Sequence, residues 1–290
     1  KINPYTKFLK EEVFENHKKV NSNLRFCFNC TLCFFDYRYS KKELENLYSE
    51  DYVEKRSKYI KAYDHEENEK NRSYMSKASL NRKLIVSENY LKFRKFRRIA
   101  DVLDFGGWHG ENIPDIAKKT NKYVLDKSKH EICSDVFAIS QIQPGQKFDL
   151  IMSTHVFEHL TNPLNDLKFL ASFLKKDGLI YLELPADIFG LIRKIPMYEH
   201  INYFSRNSII KLASMANLDV LSIELKEYRY AVHYTISYVV SLQNFSTNKI
   251  LKKSNLFIKL MNFLIDFVQY LKINPIKYYL KNIKLRSENN

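Results

Sequence analysis

Residues 99–110 read Ile-Ala-Asp-Val-Leu-Asp-Phe-Gly-Gly-Trp-His-Gly, and they constrain the fold more than any other stretch. The apolar run Val102 to Phe105 reads as a strand. It ends in Gly106, Gly107 and Gly110, and a helix-compatible segment, Glu111 to Thr120, follows. A strand that breaks into a glycine turn and then a helix is how α/β proteins hold nucleotide-like ligands. Glycine lets the backbone approach the ligand, and the helix N-terminus offers N–H groups. Asp104 lies inside the strand end, two residues before Gly106. A carboxylate there suits a ligand carrying an amino group or positive charge better than a pyrophosphate. An ordinary strand ending in a glycine turn is the alternative reading of so short a match.

Beyond this stretch the hydrophobic pattern alternates between strand and helix, the mark of a mostly parallel sheet covered on both faces. Strands are expected at Ala100–Phe105, Lys122–Leu125, near Glu131–Val136, at Phe148–Ser153 and at Leu179–Leu184. Asp219–Glu224 and Tyr230–Leu242 read as a last, antiparallel pair. Helices are expected at Pro163–Lys176, with Thr161/Asn162 as cap and Gly178 beyond the end, and from Ser205 to Ala216. Earlier in the chain, Ser40 followed by Lys41-Lys42-Glu43 is a capping-box arrangement. Asn81–Arg98 reads as a basic helix with solvated charges. Residues 254–271 form an apolar helix whose polar positions Asn255, Lys259, Asn262, Asp266 and Gln269 make one narrow stripe. With Lys259 and Asp266 inside, it is a poor membrane span. Burial against the sheet or in a homo-oligomer contact is the leading reading, and peripheral membrane contact is the minority one.

Composition narrows the partners. Lys+Arg 47 against Asp+Glu 33 gives a formal charge of +14, which suits anionic or nucleotide-linked substrates, nucleic acid or an anionic membrane, unless the excess is only a solvated lysine bias. No signal peptide opens the chain. Three of the four cysteines crowd into Cys27-Phe-Asn-Cys30-Thr-Leu-Cys33, which is not a secreted disulfide framework, so a cytoplasmic location is expected. Cys-x-x-Cys on a hairpin is half of a zinc site. Cys33 offers a third ligand and His17 or Cys133 a fourth; three small thiols packed in the fold are the alternative.

The strand ends carry chemistry in a fixed order: Asp104 with Phe105 and the glycine turn, Asp126, Asp135, then Thr154-His155. A carboxylate ending the second strand is placed to accept hydrogen bonds from ribose hydroxyls, which fits Asp126; Asp135 is placed for an adenine amino group. Together these residues describe an adenosine-shaped site. Asp104-x-Gly106-x-x-x-Gly110 resembles motif I of the class I S-adenosylmethionine (SAM)-dependent methyltransferases, with Trp108 where the middle glycine normally lies. Phe148-Asp-Leu-Ile-Met-Ser-Thr-His-Val-Phe-Glu-His-Leu-Thr-Asn-Pro163 is similar to their strand-four motif, and Gly178-Leu-Ile-Tyr-Leu-Glu-Leu-Pro185 to the strand that follows. Tyr198-Glu-His-Ile-Asn-Tyr-Phe-Ser205 is similar to a segment of a subgroup that includes sugar C-methyltransferases. Cys27 to Tyr52 resembles the zinc-ribbon-like N-terminal region of that subgroup. The chain departs from the subgroup in two ways: it has one Cys-x-x-Cys, and only 65 residues follow Leu225, where those enzymes carry a second α/β domain.

The resemblance implies a Rossmann-like methyltransferase sheet at 99–245, a zinc-ribbon-like region at 1–55, a helical lead-in at 56–98 and a C-terminal helical extension at 246–290. It implies SAM as cofactor, held by Asp104, Phe105, Gly106, Gly107, Gly110, Asp126, Asp135, Thr154 and His155. It leaves zinc at Cys27, Cys30 and Cys33 open. Methyl transfer to a hydroxyl or an α-carbon needs a base, and His200 beside Glu199 is the first candidate. His159 is the rival, and Tyr198 is a candidate lining residue. The expected acceptor is a small sugar or activated surface-glycan precursor. Two other readings stay in play. An RNA methyltransferase is motivated by the charge but lacks an RNA-binding module or an N-P-P-Y-type motif. A non-catalytic SAM-fold protein is motivated by the bulk of Trp108.

Overall fold

The computed structural model describes residues 13, 23–47, 65–94, 98–117, 120–127, 131–186, 200–229 and 234–244, with six helical positions between 260 and 268. Of the sequence expectations, His17, Tyr198 and Glu199 lie outside the described residues. The elements run β1 (Leu24–Phe26), β2 (Cys33–Phe35), α1 (Lys41–Leu47), α2 (His65–Phe93), β3 (Asp101–Phe105), β4 (Asn121–Leu125), β5 (Phe137–Ile139) and β6 (Phe148–Thr154). They continue with α3 (Pro163–Ser172), β7 (Leu174–Pro185), β8 (Asn202–Tyr203), α4 (Arg206–Met215), β9 (Leu218–Arg229) and β10 (Tyr234–Asn244).

Seven strands form one sheet in the order β5-β4-β3-β6-β7-β10-β9. β5, β4, β3, β6 and β7 are parallel, while β10 runs antiparallel to both β7 and β9. This is the expected α/β architecture. Its central strands bury side chains on both faces, so the apolar set splits by parity. Leu103, Ile151, Ile180, Leu182 and Leu184 face one core together with Leu167 and Leu170 of α3 and Ile209 and Ala213 of α4. Val102, Leu150, Met152, Leu179 and Tyr181 face the other, under Val86 and Tyr90 of α2. Asp149 fixes the start of β3 by accepting from the Ala100 and Asp101 amides at 2.8 and 3.0 Å, and Lys175 pairs with it at 2.8 Å.

The N-terminal hairpin β1–β2 extends into a second, three-stranded sheet through β8. The Phe35 amide donates to Ile201 O at 3.0 Å, and the Thr31 and Ser205 hydroxyls lie 2.6 Å apart. The hairpin is thereby tied to the stretch around 201–205 that carries His200. The predicted capping box opens α1: the Ser40 amide donates to Glu43 Oε2 at 2.8 Å and the Glu43 amide to Ser40 Oγ at 3.2 Å.

Several expectations are corrected. The helix expected over 111–120 is only a 3₁₀ turn at Asp115–Ala117 among the described residues. Pro114 explains this, since it lacks an N–H and restricts Ile113 away from the helical region. The strand expected near 131–136 lies at Phe137–Ile139 instead, pairing with β4. α3 stops at Ser172, and Gly178 is inside β7, where a β-carbon would stand 2.9 Å from Phe148 O. Arg82, expected to be solvated, is 7% exposed. At the C-terminal helical positions, Asp266 of the polar stripe is buried against Arg206 Nη2 (2.7 Å) and the Tyr238 hydroxyl (3.2 Å), and Phe263 and Phe267 pack on the core. Leu260, Leu264 and Val268 stay exposed there. Among the described residues no helix is long and apolar enough to cross a membrane.

Candidate active site

The site lies at the carboxyl ends of β3, β4, β6 and β7, beside the point where the chain crosses from β5 back over β3 to β6. Open α/β sheets bind ligands at such a switch point. Asp104 is fully buried, and neither carboxylate oxygen has a hydrogen-bond partner. Burial pushes its carboxyl up to about 7, against the pull of Arg82 and with Asp126 and Glu111 adding to the rise. A buried ionisable group without a donor is costly, and evolution retains one where a ligand completes it.

The turn after β3 wraps this carboxylate. A β-carbon at Gly107 would stand 2.3 Å from Asp104 Cγ, so no other residue fits there without displacing the acid. Gly106 has φ +71°, and its amide donates to Leu125 O at 2.9 Å, linking the turn to the end of β4. Trp108, at the usual glycine position, has φ +50°, a left-handed backbone that costs a non-glycine residue about 1 kcal/mol or more. Its amide donates to Asp126 Oδ2 at 3.0 Å and its ring stacks on His109 at 4.7 Å. The indole is 36% exposed and lies on the surface rather than under the turn. α2 braces the far side of the turn, where Ser79 Oγ donates to Glu111 O at 3.0 Å.

Of the other predicted positions, Asp126, Phe105, Thr154 and His155 lie at this end of the sheet, whereas Asp135 does not: the strand expected near 131–136 starts only at Phe137, and the parallel register Tyr123↔Phe137 sets Asp135 level with the amino end of β4. Asp126 follows β4 and accepts from the turn. Asp135 is largely exposed and pairs with Lys122, which holds its carboxyl below the ordinary value. Phe105 is half-buried against the core. Thr154 is buried at the end of β6, in register with Glu183. His155, at φ +55°, sits between two buried carboxylates: Nε2 is 2.7 Å from Glu183 Oε1 and Nδ1 is 3.4 Å from Glu158 Oε1. Burial disfavours its charged form, but the two carboxylates more than offset this and raise its pKa well above the ordinary value. Arg82 completes the network with a fork onto Glu183, 2.8 Å at each oxygen.

Arg82, Glu158 and Glu183 belong to this network although none is among the site residues expected from the sequence. A signal existed for two of them. Glu183 is the one charge in the apolar run Leu179 to Leu184, and Arg82, Val86 and Tyr90 recur every four residues on one helical face.

The 3₁₀ turn Phe157–His159 follows β6 and faces the stretch 200–203. The Ile201 amide donates to Glu158 O at 2.9 Å, and Asn202 Nδ2 donates to Leu160 O at 2.8 Å. These bonds bring His159 and His200 edge to face, ring centroids 4.7 Å apart, over the fully buried Glu158. Burial raises the Glu158 carboxyl, but His155, His159 and His200 together bring it down to about 2. Cys27, Cys30 and Cys33 stand on the β1–β2 hairpin, and no disulfide joins the four cysteines. Their sulfurs do not form a convergent ligand set: among the described residues only Glu158, His159 and His200 bring three metal-ligating atoms within 4.8 Å of one another.

The family model described as "Methyltransferase domain" matches residues 62–223, more than half of the chain. The chain belongs to that family. Among solved structures, the plantazolicin methyltransferase BpumL in complex with a pentazolic desmethylPZN analog and SAH is 15% identical, over 61% of this methyltransferase and 89% of that chain, with a TM-score of 0.45. Magnesium protoporphyrin IX methyltransferase (ChlM) from Synechocystis with bound SAM is 14% identical over 69% and 93%, TM-score 0.45. A SAM-dependent methyltransferase from Clostridium acetobutylicum is 12% identical over 67% and 98%, TM-score 0.42. No curated protein matches the methyltransferase.

Proposed function

We propose that this methyltransferase carries a methyl group from SAM to a small hydroxyl-bearing acceptor, a sugar or an activated glycan precursor. The observation that carries the donor side is Asp104, a buried carboxylate without a donor, pressed against Gly107. A methionine ammonium is the complement such a group lacks, so the residues fit the cofactor. Asp104, Gly106, Gly107 and Gly110 would hold its methionine end, with Phe105, Thr154 and His155 alongside. Asp126, which accepts from the Trp108 amide, would hold the ribose. SAM supplies an electrophilic methyl on a sulfonium; the protein aligns the acceptor, excludes water and manages the proton.

Acceptor activation is assigned to His200 and His159 above Glu158, with Tyr198 and Glu199 from the same run. A sugar acceptor is supported by the Glu199-His200-Ile201-Asn202-Tyr203-Phe204-Ser205 run and by the +14 charge, which suits a nucleotide- or phosphate-linked carrier. His200→Ala is expected to abolish turnover and to leave SAM affinity within about twofold; unchanged turnover would refute the assignment. Trp108 is the only tryptophan, so SAM binding next to it should shift its fluorescence. A titration with no spectral change would place the donor elsewhere.

A further inference from the structure

We infer that Glu158, His159 and His200 form a divalent metal site. The inference rests on three features of the acceptor side. First, His159 Nε2 and His200 Nε2 lie 3.8 and 4.0 Å from the same oxygen, Glu158 Oε1, and all three ligand atoms fall within 4.8 Å of one another. Ligands about 2.1 Å from a tetrahedral ion are roughly 3.4 Å apart, so the two Glu158 distances shorten by about 0.4 and 0.6 Å, and the imidazole pair by at most about 1.4 Å, as the set closes. Second, Glu158 is fully buried and neither of its oxygens accepts a hydrogen bond. His155 approaches at 3.4 Å, but its Nε2 is committed to Glu183 at 2.7 Å. Third, the frame is built. The Ile201 amide grips Glu158 O, and Asn202 Nδ2 donates to Phe157 O at 3.2 Å and Leu160 O at 2.8 Å, locking the two ligand-bearing segments together. Such outer contacts hold ligands in place before a metal arrives.

Two imidazoles and a carboxylate on one side of an ion leave positions open on the other, the set used by zinc and by non-haem iron or manganese. The imidazoles are the exposed part, with side chains 20% and 12% accessible, so the open positions face the acceptor side. An acceptor hydroxyl oxygen is the ligand they suit, and coordination would make that hydroxyl a stronger acid. This last role rests on the methyl-transfer reading; the metal site itself does not. If the ion binds, His200 would serve as its ligand, and the proton of the coordinated hydroxyl would pass to solvent water instead of to the imidazole.

The test uses the full chain stripped with a chelator and titrated with Co²⁺. The expected result is one equivalent giving visible d–d bands without thiolate-to-metal charge transfer in the near ultraviolet, which separates this site from Cys27, Cys30 and Cys33. His159→Ala, His200→Ala and Glu158→Gln should each bind the ion roughly 100-fold more weakly while still binding SAM, which reports that the variants are folded. Absence of a Co²⁺ spectrum, a spectrum dominated by thiolate bands, or one unchanged in all three variants would overturn the inference. Turnover that persists undiminished in the chelated protein would leave the methyltransferase reading intact while removing the metal from it.

Discussion

Asp104→Asn is expected to weaken SAM binding about 10- to 100-fold, the worth of a charge-assisted hydrogen bond to a buried group, while the ligand-free protein loses no stability near pH 8. The two halves of this expectation have one cause. The folded protein holds the Asp104 carboxyl at about 7, above the ordinary 3.8, because burial disfavours its charge. The cost of that charge is absent below the unfolded value, grows as pH rises between 3.8 and 7, and is complete above 7. It amounts to at most about 4 kcal/mol. The melting temperature of the variant relative to wild type should therefore move upward between pH 5 and pH 8. Affinity follows the opposite preference. An ammonium ligand needs the ionised carboxylate, so wild-type affinity should fall as pH drops through 7, by up to about tenfold per pH unit. Above about pH 8 it should fall again as the ligand's α-amino group loses its proton. The acid limb should vanish in Asp104→Asn. Calorimetry across pH 5.5–8.5 reads both limbs, and an unaltered acid limb in the variant would assign it to another group.

Arg82→Met is expected to cost on the order of 3 kcal/mol of folding stability, the usual penalty for leaving one member of a buried ion pair. The guanidinium makes two 2.8 Å contacts with Glu183, whose side chain is fully buried. Burial raises the Glu183 carboxyl, but His155 and Arg82 bring it down to about 2. Among the described residues, removing Arg82 leaves His155 as the remaining basic partner of Glu183. Arg82 Nη1 also reaches Asn112 Oδ1 at 3.4 Å, so the variant loosens the loop behind the glycine turn. Arg82→Lys keeps the charge but loses the fork, and should fall between wild type and Arg82→Met. Urea denaturation of the three proteins checks the order. Equal midpoints would show that the pair contributes nothing net.

The parts of the fold legible in the sequence were those written in local pattern. Asp104 through Gly110 marked the turn because a strand period stops abruptly at consecutive glycines. Ser40 with Glu43, and Ser205 before α4, marked helix starts through side chains that reach their own backbone. The α4 cap is closed reciprocally by Ser208, whose hydroxyl accepts from the Ser205 amide at 2.8 Å. The misread boundaries arose where two local signals competed. Pro114 outweighed the helical pattern of 111–120, and Gly178, which looks like a helix stop, serves close packing of β7 against Phe148 instead.

The least legible part of the site was the pairing across the sheet. Arg82 and Glu183 are 101 residues apart and meet only because α2 lies over the end of β7. His200 and Glu158 likewise converge through β8 and the N-terminal hairpin, a contact that no periodicity encodes. The sequence located Asp104 as a carboxylate beside glycines; only the fold showed that it is buried with no hydrogen-bond partner on either oxygen.

The most direct test of the account is calorimetric titration of the purified chain with SAM and with its demethylated product, SAH. The account predicts that each binds at one site per chain and that Asp104→Asn weakens both. A folded chain that gives no binding with either ligand would contradict it.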